Sequence, residues 1–182
     1  MTSPTLSVSI VSYEDVREFG KLHHDEIFYE PATISADLLF AGLNQDKLAA
    51  LGEGLNLKRY GFLLKLGDET IGWHSARQIT PALFSMEGSG IRKEHQGKGY
   101  YRTLMENVVA FAKEAGYAAI VSTHAADNNR ILIPKLRYGF VIKGFEINPM
   151  YGLDVKLIYY FNEGQKKAHQ IRVGSRADFN AP

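Results

Sequence analysis

The sequence predicts an α/β fold, on three observations. Three strand-like segments, residues 59–66, 70–79 and 82–92, follow one another with no helix between them. A short loop with two glycines, Gln96-Gly97-Lys98-Gly99-Tyr100-Tyr101, then leads into the strongest helical pattern of the chain, residues 100–115. The next segment, Tyr117-Ala-Ala-Ile-Val-Ser-Thr123, is a continuous run of the kind found in a buried strand.

Residues 6–13 alternate apolar and small polar side chains and read as a first strand. Residues 14–29 read as a helix with Val16, Phe19, Leu22 and Ile27 on one face. A second helix is expected over 35–51, with Ser35 as N-cap and Leu38, Leu39, Leu43 and Leu48 as its apolar positions, stopped by Gly52 and Gly54. The strands 59–66 and 70–79 are joined by a hairpin turn at Gly67-Asp68-Glu69, and Pro81 breaks the second of them. In the helix 100–115, Leu104, Val108, Phe111, Ala112 and Ala115 share a face and Gly116 is a suitable C-cap. A shorter helix covers 129–138, and two strands, 140–147 and 153–161, flank a turn at Asn148-Pro149. Residues 162–182 form a polar extension without clear periodicity. It reads as a solvated tail or an extra strand, with a homodimer contact as a third reading.

A chain of 182 residues suits one domain, 1–182, with a substantial core. The charged content of 23% and net charge of +1 provide no global field for nucleic acid or a membrane surface. The chain has no cysteine, which excludes disulfides, thiolate metal sites and cysteine nucleophiles. No apolar run approaches the length of a membrane span. The opening Met-Thr-Ser-Pro-Thr lacks a basic segment followed by an apolar core, so the cytoplasm is the expected location. The histidines give no metal-ligand spacing: His23 and His24 are adjacent, and His74, His95 and His169 fall in separate elements. The expectation is no metal.

A strand, a glycine loop and a helix start make an anion-binding arrangement. The first N–H groups of a helix have no internal partners, and its dipole favours negative charge there. Gly97 and Gly99 allow close backbone approach, and Lys98 and Arg102 add positive charge. A P-loop would need a glycine at Arg92 and Ser or Thr at Gly99. A dinucleotide fingerprint beginning at Gly88 would need a glycine at Lys93.

What remains resembles the acyl-CoA pyrophosphate loop of the GNAT superfamily of N-acetyltransferases, [QR]-x-x-G-x-[GA]. Gln96 and Gly99 match, and Tyr101 departs from the final small residue. The element order over residues 7–161 is also that of the family, and Ile71-Gly72 sits early in the second hairpin strand, as in many members. The segment from Asn128 to Phe140 resembles its N-x-x-A-x-x-x-Y-x-x-x-G-F helix, with Asn128, Gly139 and Phe140 in register. The resemblance implies a mixed sheet of six to seven strands flanked by about four helices, with 7–161 as the acetyltransferase core. It also implies transfer of an acetyl group from acetyl-CoA to a primary amine by direct attack. The partner would be a small-molecule or peptide amine, and a homodimer is an open arrangement. The alternative function is a catalytically inactive acyl-CoA-binding sensor or interaction module.

By the same resemblance, backbone N–H groups across Gln96, Gly97, Lys98, Gly99, Tyr100 and Tyr101 would hold the pyrophosphate. The strand edge at Ile91, Arg92 and Lys93 would pair with the pantetheine arm, and Asn128 would contact it. Tyr101 is expected to swing its ring outward. Glu87 is the first choice of base, placed by two-residue alternation on one face with Ser85, Ser89 and Ile91; His124 is the second. Trp73, Phe28, Tyr29 and Tyr151 are candidates to line an acceptor pocket, and Asp25, Glu26 and Glu30 to attract a cationic amine. Lys135 stands where the family pattern has a tyrosine that protonates the departing thiolate. It is expected to face solvent on a helix distorted by Pro134, so that Lys135→Met changes turnover by less than about tenfold.

Overall fold

In a computed structural model, residues 4–28, 42, 44, 46, 47, 50, 57–149 and 151–174 are described. The expected helix at 35–51 falls almost entirely outside them, as do Tyr29 and Glu30. Seven strands form one sheet: β1 (Leu6–Val11), β2 (Arg59–Leu66), β3 (Glu69–Thr80), β4 (Leu83–Ile91), β5 (Ala119–Ala125), β6 (Val141–Asn148) and β7 (Gly152–Tyr160), in the spatial order β1-β2-β3-β4-β5-β7-β6. Neighbours are antiparallel except β4 and β5, which run parallel. Five α-helices are described: α1 (Tyr13–Leu22), α2 (His24–Ile27), α3 (Tyr100–Glu114), α4 (Asn129–Tyr138) and α5 (Glu163–Arg172). No helix among the described residues is long and apolar enough to cross a membrane.

Three of the expected elements are corrected. The helix expected at 14–29 is two, because the chain turns at His23. A Ser12–Asp15 capping box fixes the start of α1, and Leu22, given to its apolar face, is 79% exposed. The strand expected at 117–123 begins two residues later, since Tyr117 packs against the core before pairing starts. Among the tail's described residues, 162–174, the chain is neither solvated coil nor strand but α5. Asn162 caps it by accepting from Gln165 N–H, and His169 ties it to the sheet through Ile142 O and the Tyr160 hydroxyl.

The core lies mainly between the sheet and α3. Leu104, Met105, Val108, Val109 and Ala112 bury the inner face of α3 against Phe62, Ala76, Phe84, Met86 and Ile120. α4 packs on this same face through Leu132 and Lys135, and Phe140, two residues past its end, joins the same core. α1 covers the opposite face at β2 and β3. There Gly61 lets Ser12 and Val16 sit against bare backbone, and Phe19 packs edge-on against Trp73. Tyr160 and His169 bring α5 onto that face near β7.

Two irregularities position the site. The β4–β5 pairing runs from Leu83↔Ala119 only to Met86↔Ser122, while the strands continue to Ile91 and Ala125, so an opening forms past those residues. Beside it, β4 bulges. Ser75 on β3 faces both Glu87 and Gly88, and its hydroxyl donates to Gly88 O and accepts from Gly88 N–H.

Candidate active site

The glycine loop lies as its sequence requires. Gly97 and Gly99 adopt φ of +75° and +80°, a left-handed backbone that side chains resist, and a Cβ on either would point into open space. Gln96 does not reach outward. Its Nε2 donates to Ile91 O at 2.9 Å and holds the loop against the end of β4. The loop opens on a cavity of about 720 Å³ lined by Ser89, Gly90, Ile91, Gln96, Gly97, Gly99, Tyr100, Tyr101, Arg102, Asn128, Arg130 and Pro134, together with Ile27 and Phe28. Arg102 Nε donates to Glu106 at 2.7 Å, and Lys98 is exposed on the loop.

The strand edge given to the pantetheine arm is partly engaged already. Arg92 N–H donates to Ile71 O, Lys93 N–H to the Glu26 carboxylate at 2.7 Å, and Ile91 O accepts from Gln96. Of that trio, Ile91 lines the cavity, together with Ser89 and Gly90. Gly90 cannot carry a side chain: a Cβ would sit 2.4 Å from the Trp73 ring. Asn128 occupies the N-cap position of α4 without capping through its side chain, and it faces the cavity.

Tyr101 turns inward, against expectation. Its ring packs on the core, and its buried hydroxyl has no hydrogen-bond partner among the described residues. Burial pushes the phenol up to about 12, and the neighbouring Ser89 offsets only part of that. The phenol therefore stays protonated at neutral pH.

The bulge overturns the alternation used to place Glu87. Ser85 and Glu87 lie on the α1 face, whereas Ser89 and Ile91, past the bulge, lie on the α3 face. Glu87 pairs with Arg77. His124 lies on the α3 face, so the two candidate bases are on opposite sides of the sheet.

The side chain that sequence reasoning misjudged most is Lys135. It is 1% exposed, its Nζ donates to Ser122 Oγ at 2.5 Å, and it lies 5.2 Å from the centre of the Phe140 ring. Pro134 sits inside an unbroken α4 and does not divert it. Ser122 Oγ in turn lies 2.7 Å from His124 Nε2, making a chain from Lys135 through Ser122 to His124 beside the opening. Burial lowers Lys135 to about 7. Burial first, then the Lys135 charge, lowers His124 to about 3, and the buried His74 to about 3 by the same causes. Both imidazoles are neutral at pH 7. The signal available in sequence was Ser122 and His124 two residues apart on one strand, which places them on one face.

Of the acceptor-pocket candidates, Trp73 and Phe28 meet edge-on, with ring centres 6.2 Å apart. Trp73 is buried between Phe19 and Phe28, Tyr151 is exposed, and Glu26 is drawn to Lys93 N–H, which holds its carboxyl below the usual range. A cluster invisible to sequence spacing joins Glu69, Glu94 and His95, whose ligand atoms lie within 4.8 Å of one another. Arg92 pairs with both carboxylates and already supplies positive charge there.

A comparison with curated proteins gives no match. Among solved structures, the chain is similar to the ribosomal-protein-S18-alanine N-acetyltransferase of Escherichia coli, at 13% identity and a TM-score of 0.64, covering 87% of this chain and 95% of that one. It is similar to the IAA acetyltransferase of Bacillus cereus ATCC 14579, at 15% identity and 0.59, covering 86% and 100%. It is also similar to the spermidine N-acetyltransferase of Vibrio cholerae in a dodecameric structure, at 20% identity and 0.60, covering 85% and 93%. At these identities the likeness is one of fold. A sequence model of the Acetyltransferase (GNAT) family matches residues 21–140, and the chain belongs to that family.

Proposed function

We infer that this protein transfers the acetyl group of acetyl-CoA to a primary amine by direct attack of the amine on the thioester. The observation that carries this reading is the left-handed pair Gly97 and Gly99, opening on a cavity lined by the end of β4 beyond its pairing with β5. The residues present fit a pyrophosphate-bearing ligand. The loop from Gln96 to Tyr101 offers backbone N–H groups at a helix start, and Lys98, Arg102 and Arg130 surround it with positive charge. Ser89, Gly90, Ile91 and Asn128 line the path of the arm. Bound acetyl-CoA would supply an activated acyl group, and this chain's residues position it and move protons.

On the α1 face, Glu87 accepts the proton of the incoming ammonium, directly or through water, with Arg77 holding the carboxylate in place. On the α3 face, Lys135, Ser122 and His124 form the proton chain toward the leaving thiolate. A lysine near 7 transfers a proton downhill to a thiolate whose conjugate acid has a pKa of about 8.5. Neutral His124 serves the chain as an acceptor from Ser122, not as a strong base.

The test is a screen of amino acids, polyamines, aminoglycosides and peptide N-termini for amine-dependent CoA release, alongside calorimetry of CoA binding. Release driven by an amine and abolished with the loop supports the reading. Tight CoA binding with no release for any amine would reduce the protein to an acyl-CoA-binding module.

A further inference from the structure

Arg77, Ser85, Glu87, Thr123 and Lys156 share the α1 face by strand register, and with Lys143 they line a second cavity of about 410 Å³. The two cavities meet β4 on either side of its bulge. The first touches β4 at Ser89–Ile91, the second at Ser85–Glu87, and the bulge lies between them. Resting on the acetyl-transfer reading, the second cavity is where the amine arrives.

Its charge is unlike what a polycation needs. Three cationic side chains line it, Arg77, Lys143 and Lys156, against one carboxylate, Glu87. Glu87 is paired with Arg77, and Lys156 with Glu146 just outside. Lys143 has no carboxylate within ion-pair distance among the described residues. It sits at the irregularity between Ile142 and Gly144, where β6 departs from its register with β7. Asp154, next to Glu146 on this face, is buried and does not line the cavity. A second ammonium on the acceptor would meet uncompensated like charge, whereas a carboxylate would find Lys143 free to pair with it. We propose that the acceptor is a small amine that also bears a carboxylate, as an amino acid does, with Lys143 holding the carboxylate and Glu87 facing the amine.

The experiment uses matched triplets: a set of L-amino acids, their carboxamides and their decarboxylated amines, with spermidine and a peptide with an acidic second residue as further arms. kcat/KM is read from CoA release. At least one amino acid is expected to exceed its carboxamide and its decarboxylated amine by at least about tenfold. The exposed substitution Lys143→Glu is expected to erase that preference while CoA binding stays intact, and Lys143→Gln to lower it. A preference for the peptide arm that Lys143→Glu also erases would assign the same anion site to a peptide end. Decarboxylated amines or spermidine turned over as well as the amino acids, or a preference that survives Lys143→Glu, overturns the proposal and leaves acetyl transfer standing. If no amine drives CoA release, calorimetry of the amino acids in the presence of CoA decides. Binding to wild type that is lost in Lys143→Glu supports the anion site and removes the transferase reading, and no such binding overturns the anion site as well.

Discussion

Replacing Lys135 by Met removes an ammonium from a site that is 1% exposed and leaves a side chain of similar length among Met86, Ser122 and Phe140. Burial holds Lys135 at about 7 in the folded protein, against an ordinary 10.5. That drop corresponds to on the order of 5 kcal/mol of proton-binding free energy. Between these values the unfolded chain binds the proton and the folded chain releases it, so wild-type stability rises with pH through the window. The penalty is greatest below about pH 7 and is gone above about pH 10.5. The variant has no such group. Its advantage over wild type is therefore expected to be large near neutrality and to shrink steadily as pH rises. Urea unfolding of both proteins at several pH values between about 6 and 10 measures this. Turnover is expected to fall by about a hundredfold at saturating substrates, because the proton donor is gone. This replaces the loss of less than about tenfold expected of a solvent-facing lysine. A stability difference that stays flat with pH would refute the buried ammonium, and unchanged turnover in a folded variant would refute its role as acid.

Gly99→Glu puts bulk and negative charge on a left-handed residue at the helix start. It is expected to weaken CoA binding by at least about tenfold, roughly 1.4 kcal/mol, and calorimetry showing unchanged affinity in a folded protein would remove the loop from the mechanism. Glu87→Gln keeps the shape of the cavity wall and loses the proton acceptor. Turnover should drop about a hundredfold with CoA binding intact, and the loss should narrow at high pH where the amine deprotonates itself; a loss constant with pH would assign Glu87 a structural role beside Arg77. Gly90→Ala drives a methyl into the Trp73 ring, which Phe19 and Phe28 hold edge-on, and is expected to cost about 1–3 kcal/mol in thermal unfolding; an unchanged melting temperature would mean that the ring yields.

The sequence by itself determined the order of the elements from β2 to β7 and many of their limits. The strand at 59–66 and the helix at 129–138 have their observed bounds, because a hairpin turn, an N-cap position and a C-terminal glycine are local signals. It also determined the glycine loop, since a left-handed backbone at a helix start depends on the residues that form it. The tertiary structure decided what surrounds them. Alternation along β4 gave Glu87 and Ser89 one face, but a bulge belongs to a pair of strands, and Ser75 on β3 decides it. Helix α5 has little apolar periodicity to announce it, because contacts to Ile142 and Tyr160 help hold it to the sheet. Lys135 reads as a surface residue in any local window. Its burial depends on Met86, Ser122 and Phe140, which reach it from two strands and the end of its own helix, and burial in turn brings its pKa to the range where proton transfer at neutral pH is feasible.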